Sequence, residues 1–303
     1  MYPAASLVVA VVVAAPAVPD TRFVQVAPEY REGAALQRSA DKGRAVVLLP
    51  GLRLHPFSSR NVSRADWHSW QRPDSPLVKA LAPDADVFAF AYSQDVPLET
   101  VADGPGLRDG VRRLQALGYR EIVLIGHSAG GLVARQFVED YPNAGVTKVV
   151  QVCAPNGGSA WAKARMAVRK KQEAFLSSLT KKDRRLCLHE RAEKRIPADV
   201  EFVCVVARLH VPLLSPREKG EHAGHGLLGA GDGIVSAVCQ WTPELQEQGI
   251  PAVALSAGHT GVVHGQPGIN AIARLVREHV QRWDAATVAA ARPRILGDEK
   301  PKR

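Results

Sequence analysis

Residues 121–141 read EIVLIGHSAGGLVARQFVEDY, and this stretch decides the fold. Its first five residues, 121–125, form a short apolar run of the kind that makes a buried strand. In 131–141 the apolar residues recur at helical spacing. Between the two lies the pentapeptide GHSAG, 126–130, which places a serine on the connecting turn. The stretch therefore predicts a buried strand, a very sharp turn and a helix.

Similar patterns recur on both sides of this stretch. Five further apolar runs predict strands, at 44–49, 86–92, 146–152, 200–207 and 253–256. Helical spacing is found at 101–117 and at 267–283. Strands that alternate with helices in this way favour an α/β fold, with a mostly parallel sheet covered by helices on both faces. Ligands of such sheets bind at the carboxyl ends of the strands.

One long segment, 157–197, has no strand pattern and is biased towards helix. Within it, residues 163–195 contain twelve Lys or Arg against four Asp or Glu. We expect the segment to be a helical cap or lid inserted into one domain that spans 21–285. Two interpretations of its charge stay open: a solvated helix face, or a surface for an anionic substrate or an anionic membrane.

Composition narrows the class of protein. The 303-residue chain has a formal net charge of +9, nearly all of it in the basic segment, and no accompanying motif indicates nucleic-acid binding. The four cysteines lack the CxxC spacing of a zinc or redox motif. Cys153 and Cys204 lie in or beside strand-like runs and should be buried. Cys187 and Cys239 could form a disulfide if the protein is exported.

The two ends of the chain differ from its middle. Residues 4–18 form an almost unbroken apolar run that is short for a membrane-spanning helix. Together with the small residues at 15–17, this makes 1–20 typical of a signal peptide, although no Lys or Arg precedes the run. Export is therefore predicted; a buried strand, a membrane anchor and a cytoplasmic location stay open. The basic tail 286–303 is expected to fray from Ala285 onwards.

Ser128 is the candidate nucleophile. On a sharp turn between strand and helix its hydroxyl would project above the sheet edge, where Gly126 and Gly130 remove side chains that would clash. The N-terminus of the following helix directs N–H groups towards developing negative charge. The alternative is a tight turn whose serine merely caps the helix.

A serine hydroxyl needs a base to take its proton and a carboxylate to orient that base. The loop GDGIV, 231–235, follows the strand predicted at 200–207 and offers Asp232 as the acid, unless it is only a turn residue. Asp199 precedes that strand, and Asp140 ends the helix after Ser128, so both lie at the wrong end.

The base should follow the last strand. There the sequence SAGHTG, 256–261, contains His259, which is the favoured base. His264, five residues later, is its main competitor. The order serine, acid, histidine is the order found when a G-x-S-x-G turn carries a nucleophile.

Other residues are candidates for stabilising and binding a substrate. Acyl transfer creates an oxyanion that needs N–H donors, and we predict the backbone N–H groups of Ala129 and Leu52, since Pro50 cannot donate. Trp67, Trp70 and Trp161 are candidates for lining the pocket, with a place in the core as the alternative for the first two.

Four motifs, VVLLPGL (46–52), IGHSAGG (125–131), GDGIV (231–235) and AGHTGVV (257–263), resemble those of the lipase and esterase branch of the α/β-hydrolase superfamily. APNGGSAWA (154–162) is similar to the sequence that leads into the lid of such lipases. The likeness extends over most of the chain, from Ala45 to Trp283. One departure is Pro50-Gly51, where these proteins usually have His-Gly.

This resemblance implies an α/β-hydrolase fold and the hydrolysis of small-molecule or lipid esters through an acyl-enzyme, without a metal or an organic cofactor. An acyltransferase or thioesterase would use the same three residues, and a catalytically silent binding module would keep only the fold. The acyl chain, the alcohol and the oligomeric state stay open.

Overall fold

The computed structural model describes residues 18–30, 33–53, 62–163, 170–209 and 231–297. Within these residues seven strands form one sheet, in the order β1-β3-β2-β4-β5-β6-β7. The strands are β1 (Thr21–Ala27), β2 (Arg44–Leu49), β3 (Asp86–Tyr92), β4 (Glu121–His127), β5 (Lys148–Val152), β6 (Glu201–Arg208) and β7 (Ala252–Ser256). Among the described strands only β1 is antiparallel to its neighbour, so the predicted mostly parallel sheet is confirmed.

Helices cover both faces of the sheet. They are α1 (Pro76–Leu81), α2 (Leu98–Asp103), α3 (Pro105–Ala116), α4 (Ala129–Asp140), α5 (Glu173–Ser177), α6 (Lys181–Glu190), α7 (Ala237–Gln240), α8 (Pro243–Glu247), α9 (Gly261–His264), α10 (Gln266–Arg277) and α11 (Ala285–Leu296). In β2, Val46 and Leu48 belong to the core beneath α1, α9 and α10, and Val47 and Leu49 to the core beneath α3, α4 and α11. This alternation explains why the central strands read as continuous apolar runs.

The predicted elements agree with the structure except at their ends. The five predicted strands other than β4 match β2, β3, β5, β6 and β7 within two residues, and β4 extends to His127. The helix predicted at 101–117 is two helices, because Pro105 cannot continue α2 and begins α3 instead.

Both ends of the described chain hold elements that the sequence patterns did not reveal. β1 pairs antiparallel with β3 at one edge, where Phe23 stacks on Phe88 with ring centroids 5.9 Å apart. The prediction that the chain frays from Ala285 is wrong, because α11 begins there. Asp284 caps that helix by accepting a hydrogen bond from the Thr287 N–H, and Ile295 is buried in the core.

The segment between β5 and β6 holds α5 and α6 in its described part. Several of its cations are paired with the C-terminal end of α4: Arg191 with Glu139 and Asp140, both at 3.0 Å, and Lys194 with Asp140 at 3.1 Å. Arg184 is buried. Part of the basic charge is therefore neutralised against the body of the protein, while Lys181, Lys182 and Arg185 are exposed on α6.

Other expectations concern the cysteines and the N-terminus. The four cysteines, all in the described part of the chain, are free thiols, so Cys187 and Cys239 do not pair here. Cys153 and Cys204 are buried, as predicted. Of the predicted signal peptide, residues 1–17 lie outside the described residues. Among the described helices, none has the length and apolar character to cross a bilayer.

Candidate active site

Ser128 stands at the end of β4 and immediately before α4. Its backbone has φ 54° and ψ −124°, a conformation that non-glycine residues rarely adopt. Such strain costs about 1–3 kcal/mol and persists only where the surroundings impose it, commonly at functional sites. A Cβ on Gly126 would lie 2.4 Å from the Gly130 carbonyl oxygen, and one on Gly130 would lie 2.3 Å from that of Leu49. The two glycines are thus required by the close approach of strand, turn and helix.

The loop after β2 lies against this turn. A Cβ on Gly51 would lie 2.6 Å from the Cβ of Ser128, so this residue too must be glycine. The buried side chain of Gln94 holds the loop, since it donates to the Gly51 carbonyl and accepts from the Arg53 N–H, both at 2.9 Å. Leu52 lies between these two contacts. No sequence motif marks Gln94, because its role depends on a loop 41 residues away.

Asp232 lies in the loop after β6, and its side chain is completely buried. One carboxylate oxygen, Oδ1, accepts hydrogen bonds from the backbone N–H groups of Ile234 (2.9 Å) and Val235 (2.8 Å). The other, Oδ2, accepts from the Gln240 amide at 3.2 Å and is 2.7 Å from Nδ1 of His259. The carboxylate is therefore fixed by its own loop and directed at one imidazole.

His259 follows β7, and its backbone N–H donates to the Asp232 carbonyl at 2.9 Å. Since Nδ1 contacts Asp232, Nε2 is the ring nitrogen that is left to act on a serine hydroxyl. His264, the competing candidate, lies at the end of α9, where its Nε2 is 3.5 Å from the Ser69 hydroxyl. Of the two histidines, His259 is the one hydrogen-bonded to Asp232.

Cys153 belongs to the same cluster, although the sequence indicated only a buried small residue. The Sγ atom of Cys153, a carboxylate oxygen of Asp232 and a ring nitrogen of His259 all lie within 4.8 Å of one another. The residue has φ 52° and is fully buried directly after β5. Burial, and then the nearby Asp232 carboxylate, raise the pKa of the thiol well above its ordinary value. The protonated thiol can donate its S–H to the Asp232 carboxylate.

A cavity of about 180 Å³ opens beside these residues. Ser128, His259 and Leu52 line it, together with Trp70 and Trp161. The rest of its lining is His68, His127, Pro155, Ser159, Ala162, Leu176, Leu179, Ile234, Val235, Thr260, Val263 and His264. Most of these side chains are apolar, so the cavity suits an apolar group next to the Ser128 hydroxyl.

The predicted pocket tryptophans occupy different places. Trp70 is buried in the cavity wall, and Trp161 is 47% exposed at the start of the segment between β5 and β6. Trp67 lies outside the lining, because its ring packs edge-on against Tyr30 at 5.3 Å and under the Arg22 guanidinium at 4.3 Å. These two contacts cover the apolar surface of the Trp67 ring that was predicted to contact a substrate.

The two predicted N–H donors are positioned by different elements. Ala129 is the first residue of α4, so its N–H lies among the groups that have no carbonyl partner one turn earlier. Leu52 stands in the loop braced by Gln94 and borders the cavity. Both residues adjoin the Ser128 turn, although their role in binding an oxyanion stays a prediction.

The chain is similar to known proteins in sequence and in fold. A sequence model described as the alpha/beta hydrolase family matches residues 46–294. No curated protein sequence matches the chain significantly.

Among solved structures, the mature lipase BlEst2 of Bacillus licheniformis aligns with a TM-score of 0.59 at 14% identity, over 84% of this chain and 98% of the lipase. A metagenomic carboxyl esterase aligns with a TM-score of 0.50 at 20% identity, over 89% of this chain and 82% of the esterase. Phospholipase PlaB from Legionella pneumophila aligns with a TM-score of 0.55 at 12% identity, over 84% of this chain and 63% of the phospholipase. At these identities the likenesses establish the fold.

Proposed function

We propose that this chain, which belongs to the alpha/beta hydrolase family, is a serine hydrolase that cleaves carboxylic esters. The observation that carries the proposal is the 2.7 Å hydrogen bond between Asp232 and His259, beside an apolar cavity that Ser128 also lines. Serine, acid and base come from three loops at the carboxyl edge of the sheet, where ligands of parallel sheets bind.

In the proposed reaction the Ser128 hydroxyl attacks the ester carbonyl while His259 Nε2 takes its proton. Asp232 keeps the other ring proton on Nδ1 and stabilises the imidazolium that forms. The tetrahedral oxyanion accepts hydrogen bonds from the N–H groups of Ala129 and Leu52. Collapse of this intermediate breaks the ester bond, and His259 returns the proton to the departing alcohol.

The second half repeats these steps with water. His259 deprotonates a water molecule, which attacks the acyl-Ser128 carbonyl, and the proton then returns to the serine oxygen as the acid departs. An acceptor alcohol or thiol that competed with water would make the enzyme an acyltransferase instead. Product analysis with added acceptor separates these two outcomes.

The cavity supports an ester with an apolar portion, either a small molecule or a lipid. Its volume of about 180 Å³ is small next to the roughly 300–1,000 Å³ of typical ligand pockets. We therefore expect one short or medium acyl chain to fit within it, with the alcohol facing the exposed Trp161.

Hydrolysis of p-nitrophenyl esters by the Ser128→Ala variant tests the proposal. The change removes the nucleophile and leaves the turn small, so we expect a folded protein with at least about a thousandfold lower kcat. A variant that turned over as fast as the wild type would refute the assignment of Ser128.

A further inference from the structure

His127, the residue immediately before the nucleophile, is buried on one face of the sheet. Side chains of β4 alternate, so His127 shares the face on which Val123 and Ile125 pack beneath α1 and α10. Its ring centroid lies 6.0 Å from that of Trp70 and 4.8 Å from that of His259. The side chain therefore contacts the wall of the cavity and the residue proposed as the base.

The ring makes one defined hydrogen bond, in which its Nε2 lies 2.8 Å from the backbone carbonyl oxygen of His259. A carbonyl can only accept, so Nε2 carries the proton and Nδ1 is bare. Among the described residues Nδ1 has no hydrogen-bond partner. The contact thus fixes the tautomer of a histidine that no step of the proposed reaction uses.

The surroundings keep this ring uncharged. Burial, and then the neighbouring His259, hold the pKa of His127 well below its ordinary value. The other titratable groups acting on it are His68 and His264, which also disfavour its charged form. A neutral His127 matters because the base itself becomes an imidazolium, which a second cation 4.8 Å away would oppose.

We infer that His127 is a positioning residue for His259, holding the backbone of the base from the residue next to the nucleophile. The main chain of His259 is then fixed on both sides: its N–H donates to the Asp232 carbonyl, and its carbonyl accepts from His127. Since the imidazole is also hydrogen-bonded to Asp232, the ring has little freedom to turn. This inference rests on the proposed function, in which His259 acts on Ser128.

Two substitutions separate the hydrogen bond from the packing. His127→Phe keeps a ring and removes the donor, which leaves the His259 carbonyl without this hydrogen bond. We expect kcat per active site to fall at least about tenfold while KM changes little. His127→Gln keeps an amide donor that can reach the same carbonyl and should recover most of the loss. Active sites are counted with a fluorophosphonate, so that misfolded protein does not enter the comparison.

A proton spectrum tests the inference without any substrate. The His259 Nδ1–H, hydrogen-bonded to Asp232, should give a downfield resonance that persists in His127→Gln and is broadened or lost in His127→Phe. If His127→Phe does not fold, His127→Asn replaces it, because its shorter amide cannot reach the carbonyl.

Unchanged kcat and an unchanged resonance in the donor-free variant would overturn the inference, as would a Gln variant as impaired as Phe. If the wild-type protein cleaves no ester, the proposed function fails while the resonance still tests the role of His127.

Discussion

The carboxylate of Asp232 accepts hydrogen bonds at both oxygens, and this limits what can replace it. Two backbone N–H groups face Oδ1, while the His259 ring and the Gln240 amide face Oδ2. An amide placed here must direct its NH₂ group at donors on one side or the other. The site therefore accommodates an anion and selects the tautomer of His259 that has its proton on Nδ1.

We predict that Asp232→Asn lowers kcat for p-nitrophenyl esters by about a thousandfold or more, because the imidazole loses the partner that fixes its tautomer. Asp140→Asn is the matched control, since Asp140 ends α4 and pairs with Arg191 and Lys194. Steady-state kinetics should leave this control near wild type. Equal effects of the two substitutions would contradict the assignment of Asp232.

His127 also gives the stability a pH dependence. The unfolded chain has an ordinary histidine pKa of about 6.5, whereas the folded pKa is lower. Below about pH 6.5 the unfolded state therefore binds one more proton, and the free energy of unfolding falls by up to about 1.4 kcal/mol per pH unit from this group. Urea unfolding between pH 7.5 and 5.5 should show a shallower dependence for His127→Gln than for the wild type. His189→Gln, on the exposed side of α6, should keep the wild-type dependence; parallel curves for all three proteins would contradict the prediction.

Sequence patterns identified the candidate residues whose chemistry requires a particular residue type on a particular turn. Ser128 directly follows a strand that its apolar run predicted, and Asp232 and His259 lie in loops after two other such strands. Gln94, Cys153, Gln240 and His127 were missed as members of the site, because each acts through contacts with segments distant in sequence. Nothing in their immediate neighbourhood distinguishes them from ordinary buried residues.

At the scale of elements, the segment between β5 and β6 contributes part of the cavity wall. Leu176 in α5 and Leu179 just after it are buried against the cavity, whereas Leu186 in α6 is 53% exposed. The segment was predicted as a cap or lid, and its part in substrate choice stays a proposal. Its wall residues allow that proposal to be tested.

We predict that Leu176→Trp narrows the cavity and shifts the preference, measured as kcat/KM over p-nitrophenyl esters of increasing length, towards shorter acyl chains. Leu176→Ala should shift it towards longer ones, because it opens space next to Ser128. The control Leu186→Trp adds the same bulk on an exposed face and should leave the ranking unchanged. Identical chain-length rankings for both Leu176 variants and the wild type would show that this wall does not select the acyl group.

The elements also show where apolar patterns fail as predictors. Strands β2 to β6 are buried on both faces and their apolar runs are clear in the sequence, whereas β1 is a half-buried edge strand with polar residues between its apolar ones. In α11 the buried side consists of Val288, Ala291 and Ile295, too few apolar residues to distinguish the helix from a tail in the sequence. Its cap at Asp284 is the local signal that could have revealed it.

At the scale of the whole molecule, the charge of +9 is unevenly exposed. Arg184, Arg191 and Lys194 pair with acidic side chains of the body of the protein, while Lys181, Lys182 and Arg185 are exposed on α6 beside Leu186. Exposed cations next to an exposed apolar side chain suit an anionic lipid surface. We therefore propose that α6 faces an anionic membrane, with a solvated helix face as the alternative.

We predict that reversing Lys181, Lys182 and Arg185 to Glu weakens sedimentation with vesicles rich in anionic lipid and leaves hydrolysis of a soluble ester intact. Reversal of Arg112, Arg120 and Arg292, which are exposed elsewhere, changes the net charge equally and should have a smaller effect. If the two triple variants bound vesicles equally well, only the net charge would matter, and α6 would be a solvated face.

The central claim is that Ser128 is a nucleophile activated by His259. Mass spectrometry of the protein after treatment with a fluorophosphonate tests it most directly, since the probe forms a covalent adduct only with an activated serine. We predict one adduct per chain, located on Ser128 in the peptide that contains GHSAG, and strongly slowed labelling in His259→Ala. A wild-type protein that stayed unlabelled, or that carried the adduct on another serine, would contradict the claim.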